Sequence, residues 1–136
     1  MLFVALLALQ AAAPASVAPE PGAIVTTETG LRFQVLQPGA GRRPGRAEAV
    51  LVTYEGRLAD GTIFDSAAQP VGILVADTVP GFTEALLMMN EGGRYRFWIP
   101  PQLAYGAEGS RGVVPPNATL DFTLTLIRVG RPAAPR

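Results

Sequence analysis

Four runs of this chain alternate apolar and polar residues with a period of two. They place Leu31, Phe33 and Val35 on one face, then Val50, Val52, Tyr54 and Gly56. Further on come Tyr95, Phe97 and Ile99, and then Leu120, Phe122, Leu124 and Leu126. That period is the signature of a half-buried β-strand. The strands run over Leu31–Leu36, Val50–Leu58, Arg94–Pro100 and Leu120–Val129. Asp60-Gly61 is a strong turn signal and should reverse the second of these strands, Val50–Leu58, into Thr62-Ile63-Phe64-Asp65. Pro70–Val75 reads as a separate short apolar strand, and Ile24–Thr27 is β-branched. Pro38–Gly45 is a Gly-, Pro- and Arg-rich loop. A helical period occurs once, where Phe82, Leu86 and Met89 fall three and four apart. Thr78 or Asp77 can cap its start, Pro80 suits its first turn, and Asn90-Glu91-Gly92-Gly93 ends it. The inventory is α+β: about five antiparallel strands with one short helix packed on one face. At 136 residues, with no internal repeat, the chain has the length of one domain.

Composition excludes several chemistries. There is no Cys, so no disulfide framework and no thiolate metal site. There is no His, which removes the commonest general base and metal ligand. Hydrolases built on a Ser-His pair and zinc enzymes are disfavoured, and any catalysis must proceed without imidazole. The 11 basic and 11 acidic residues cancel, and no basic block marks a nucleic-acid binder. All basic residues are Arg; with the Ala and Pro richness this suggests a GC-rich bacterial genome.

The longest irregular stretch is Leu103–Phe122, LAYGAEGSRGVVPPNATLDF. Gly106, Gly109, Gly112 and Pro115-Pro116 make it a long loop, and such loops are usually functional or disordered. It carries the apolar pair Val113-Val114, which either leans over a cavity or is pinned to the core.

This stretch resembles the flap and following strand of the FKBP-type peptidyl-prolyl isomerases. The resemblance rests on Ala104-Tyr105-Gly106, Val113-Val114, Pro115-Pro116, Ala118-Thr119-Leu120 and Phe122. A second block, Val52 to Ser66 (VTYEGRLADGTIFDS), is similar to the family's other signature. The two occur in the family's order, and the likeness covers roughly residues 24–129. It implies the FKBP fold without the chaperone domain that some relatives insert in the flap. It also implies an isomerase of X–Pro bonds that needs no cofactor or metal. The reaction would rest on Tyr54, Phe64, Asp65, Tyr105 and Phe122, and substrate binding on Val71, Val79, Phe82, Val113 and Val114. In that assignment Phe82 is the base, and Tyr54, Phe64 and Phe122 are aromatic walls. Val79 offers its backbone N–H, Tyr105 its hydroxyl, and Asp65 stands at the rim. On spacing alone the three Phe residues read as plain core and Asp65 as a turn residue. Val71 stands where relatives usually have Phe, Phe82 where many have Trp, and Ser110 near a position that is His in some. The implied partners are proline-containing polypeptides and FK506-like macrolides, whose affinity the departures lower. Rival readings are a non-catalytic binder or chaperone of proline-containing segments, and a scaffold with a vestigial site.

Leu2–Ala13 is apolar apart from Gln10 and is shorter than the ~20 residues of a membrane-spanning helix. It suits the apolar region of a secretory signal peptide, with cleavage after Ala15 at Ala13-Pro14-Ala15 or near Ala11. No Lys or Arg precedes Arg32, so the positive flank is missing. An uncleaved anchor and a disordered tail are the alternatives. The expected organisation is a signal peptide and linker over 1–20, an isomerase domain over 21–130 and a disordered tail over 131–136. The expected location is periplasmic or secreted, without a stable membrane span after cleavage, or cytoplasmic if the first segment is no signal.

Overall fold

The computed structural model describes residues 22–130. The signal-peptide reading and the tail reading therefore lie outside the described residues. Six strands form one antiparallel sheet: β1 (Ile24–Thr26), β2 (Arg32–Gln37), β3 (Ala49–Arg57), β4 (Ile63–Leu74), β5 (Arg94–Ile99) and β6 (Leu120–Gly130). Their order across the sheet is β1-β2-β5-β6-β3-β4. The helix α1 (Pro80–Met88) follows a single 3₁₀ turn, Val75–Asp77.

The alternating faces read from the sequence meet in the register. Phe33 lies opposite Phe97, Phe97 opposite Phe122, and Phe122 opposite Gly56. Leu124 lies between Tyr95 and Tyr54. This inner face buries Leu31, Val35, Val52, Phe97, Ile99, Leu120, Leu124 and Leu126 almost completely. Helix α1 supplies Phe82, Ala85 and Leu86 to the same core, with Met89 just after it. Gly81 lets the first turn of α1 lie close to β5, because a Cβ there would collide with the Ile99 side chain. The outer face carries a bidentate ion pair, Arg96 to Asp121 at 2.7 and 3.0 Å. Arg96 and Arg32 also lie over the Trp98 ring, at 4.8 and 5.4 Å from its centroid.

Three differences from the sequence reading have local causes. The Phe64 and Pro70–Val75 strands are one twelve-residue strand, β4. Its pairing with β3 jumps from Tyr54↔Ala67 to Val52↔Val71, so residues 68–70 bulge out of register. Pro70 falls in that bulge on an edge strand, where its missing N–H costs no ladder bond. Val75 leaves the strand for the 3₁₀ turn, and with the short strand at Ile24–Thr26 the sheet has six strands rather than about five. The N-cap of α1 is Val79, with no side-chain cap. Thr78 does not cap, because its hydroxyl lies against the Val75 carbonyl at 3.1 Å and the Thr83 hydroxyl at 2.6 Å. A bulge in β6 between its pairings with Leu51 and Val52 leaves Ile127 and Arg128 facing out and returns Val129 to the core.

Phe97 is 1% exposed, and its β-sheet partners on both sides are Phe. Phe97→Ala is expected to cost about 3–5 kcal/mol in urea unfolding, as for a buried aromatic. Ile127→Ala, at a side chain 36% exposed, is expected to cost well under half of that.

Candidate functional site

A cavity of about 230 Å³ opens between β4, the 3₁₀ turn, the start of α1, the loop before β6 and β6 itself. Its floor is an aromatic cluster centred on Phe122. That ring meets Phe82 edge-on at 5.0 Å and Phe64 edge-on at 5.5 Å, and lies 6.0 Å from Tyr54. Tyr54 in turn meets Phe82 edge-on at 5.9 Å. Edge-to-face pairs of this kind each add about 0.5–1.5 kcal/mol beyond area burial. The cluster therefore fixes its own geometry. Phe82 and Phe122 are 6% and 5% exposed, so they present a solid apolar floor.

Gly56 makes the cluster possible. A Cβ at that position would lie 2.7 Å from Phe122 Cε1 and 3.0 Å from Phe64 Cε1 and Cζ. The two rings thus pack into the space that a side chain on β3 would occupy.

Polar groups stand at the edge of this floor. The Tyr54 hydroxyl donates to Asp65 Oδ2 at 3.2 Å. Its pKa is raised above the usual phenol value, first by burial and then by the negative charge of Asp65. Tyr54 therefore stays a hydrogen-bond donor through neutral pH. Val79 lines the cavity, and its N–H meets no hydrogen-bond acceptor among the described residues. Tyr105 also lines the cavity and is 41% exposed. It is seated at the base of the long loop, where the Gly109 N–H donates to the Tyr105 carbonyl at 3.0 Å. The Gly106 N–H donates to the Pro101 carbonyl at 2.8 Å, which closes the turn next to it.

Of the ten residues singled out in the sequence, seven come together on this wall: Tyr54, Phe64, Asp65, Val79, Phe82, Tyr105 and Phe122. Three do not. Val71 sits just past the β4 bulge, opposite Val52 and 37% exposed, and is not among the residues that line the cavity. Val113 and Val114 part company. A tight turn ties Ser110 to Val114 through both backbone bonds, at 2.8 and 2.9 Å. That turn sends Val114 into the core, 4% exposed, and leaves Val113 half exposed on the loop. Both face a separate shallow depression with Glu108, Ser110 and Arg111. Four wall residues escaped the sequence reading as site residues: Ile73, Asp77, Thr78 and Leu120. Leu120 shares the face of Phe122, so its alternation was a usable signal. Ile73 lies two residues beyond Val71 on the same strand face. Asp77 and Thr78 read as caps and carried no other mark.

The profile described as FKBP-type peptidyl-prolyl cis-trans isomerase matches residues 41–127. The chain is 40% identical over 112 residues to a Neisseria meningitidis protein described as a probable FKBP-type peptidyl-prolyl cis-trans isomerase, FkpA; the match covers 80% of this chain and 41% of that one. It is 40% identical over 117 residues to the outer membrane protein MIP of Legionella longbeachae, covering 84% of this chain and 50% of the relative. The crystal structure of a peptidyl-prolyl cis-trans isomerase from Pseudomonas syringae superposes with a TM-score of 0.77 at 35% identity, covering 94% of this chain and 92% of that one. The chain spans about half the length of the curated relatives it matches.

Gly56→Ala is expected to push the two Phe rings apart and destabilise the fold by about 1–3 kcal/mol, the usual cost of overpacking, read by urea unfolding. In a phenol titration followed by ultraviolet difference absorbance, Asp65→Asn is expected to lower the Tyr54 pKa but leave it above the usual value of 10.0, because burial is the larger cause. The raised phenol pKa contributes stability that is present below pH 10 and is lost as pH rises through the folded-state value.

Proposed function

We propose that this chain, which belongs to the FKBP-type peptidyl-prolyl cis-trans isomerase family, itself accelerates rotation about X–Pro bonds in polypeptides. The observation that carries the reading is the aromatic cavity with hydrogen-bond donors at its edge and no nucleophile–base pair in its wall. Rotation about an amide is slow because resonance gives the C–N bond double-bond character, with a barrier of ~18–20 kcal/mol. The planar amide is the charge-separated form, so water stabilises it more than an apolar cavity does. The twisted amide has lost that resonance and suffers less from the transfer. A floor of Phe82, Phe122 and Phe64 therefore favours the twisted state over the planar one, and only such differential binding raises the rate. Lowering the barrier by ~7–8 kcal/mol would accelerate rotation about 10⁵–10⁶-fold.

The polar edge holds the flanking chain while the imide turns. The Val79 N–H donates to one substrate carbonyl and the Tyr105 hydroxyl to another. Tyr54 fixes the Asp65 carboxylate at the rim. No covalent step and no proton transfer is needed, which suits a chain without His or Cys. FK506-like macrolides would occupy the same floor, held less tightly because Val71 adds no wall there. The apolar run Leu2–Ala13 supports export to the bacterial envelope as the setting, with folding polypeptides as the substrates.

The test is cis/trans exchange of a short X–Pro peptide followed by NMR, which requires no coupled protease. Exchange well above the uncatalysed rate is expected. Tyr105→Phe is expected to lower kcat/KM about two- to tenfold, the worth of one hydrogen bond of about 0.5–1.5 kcal/mol. Peptide binding without faster exchange would instead establish a binder of proline-containing segments.

A further inference from the structure

We propose that Asp77 makes the mouth of the cavity select segments that carry a basic residue next to the proline; this rests on the isomerase reading above. The wall of the cavity holds two carboxylates, Asp65 and Asp77, and no Arg. The two are not equivalent. Asp65 accepts the Tyr54 hydroxyl. Asp77 is exposed and makes no hydrogen bond or ion pair with any described residue. The ion pairs among the described residues are Arg42–Glu48, Arg57–Glu55 and Arg96–Asp121, none of which involves the mouth carboxylates. Arg46 lines the adjoining groove, which shares Thr78 with the cavity, but it does not pair with Asp77. No ion pair among the described residues therefore neutralises either carboxylate at the mouth.

The position of that charge is set by the backbone. Asp77 is the last residue of the 3₁₀ turn, two residues before Val79, whose N–H is proposed to hold the substrate chain. A long basic side chain suits this arrangement. Its methylene stem can lie along the apolar wall at Ile73 and Val79 while its cation reaches the rim. An acidic side chain in the same place meets two like charges. Between solvent-exposed charges roughly 6–8 Å apart, the combined attraction and repulsion amount to about a three- to tenfold preference at low salt. Salt shortens the screening length and should erase most of it.

The test uses the full chain and three peptides that differ only in Lys, Gln or Glu, placed before the proline in one series and after it in a second. The expected result is a kcat/KM for Lys about three- to tenfold above that for Glu in at least one series at low salt. The ratio is expected to fall towards one in high salt, to drop in Asp77→Asn to the smaller value that Asp65 alone sustains, and to persist in Asp77→Glu. A Lys-to-Glu ratio near one in both series, with the Gln peptide still accelerated, would overturn the selection and leave the isomerase reading standing. A ratio that Asp77→Asn does not change would also overturn it. No acceleration of the Gln peptide would remove the isomerase reading and this inference with it.

Discussion

The packing of Phe122 and Phe64 against a strand position without a side chain is what the rest of the site depends on. Gly56 leaves that space on β3, directly opposite Phe122 in the β3–β6 register. With the space open, the Phe122 ring can turn its edge and face to Phe82, Phe64 and Tyr54 together. Those four rings come from β3, β4, α1 and β6. The cluster is thus both the joint between the helix and the sheet and the floor of the cavity. Structural and functional roles share the same atoms, so a change in ring packing alters stability and site shape together.

This sharing explains how far the sequence could be read. The strand faces were legible because a half-buried antiparallel sheet forces a period of two, and the sheet here is inner-apolar and outer-polar along β2, β3, β5 and β6. Seven site residues were legible only through the likeness of two sequence blocks to a known family, since spacing alone reads the three Phe residues as core and Asp65 as a turn residue. The breaks in period were not. The bulge at residues 68–70 joins two apparent strands into one and shifts their register against β3. The Ser110–Val114 turn divides a pair of identical neighbours, one into the core and one to solvent. No local pattern distinguishes Val113 from Val114, because the difference is made by backbone bonds within the loop. Asp77 was hidden for a similar reason. An acidic residue before Pro80 looks like a cap, and only the orientation of the 3₁₀ turn shows that it faces the cavity instead.

The division between rigid floor and polar edge fits a catalyst that works without bond-making. The floor is buried and held by ring contacts. The Val79 N–H and the Tyr105 hydroxyl stand at the N-cap of α1 and at the base of the long loop. The outer face, with its Arg96–Asp121 pair and the Trp98 stack, takes no part in the cavity. It keeps the sheet's other side polar.

The central claim is that the proline turns while its ring lies on the Phe82–Phe122 floor. One NMR sample of the full chain with a ¹³C-labelled proline peptide reads both halves of that claim. Exchange cross-peaks report the rate, and intermolecular NOEs report which rings the proline touches. The expected result is accelerated exchange together with NOEs from the proline ring to Phe82 and Phe122. Accelerated exchange with proline contacts elsewhere on the surface, or contacts to these rings without accelerated exchange, would contradict it.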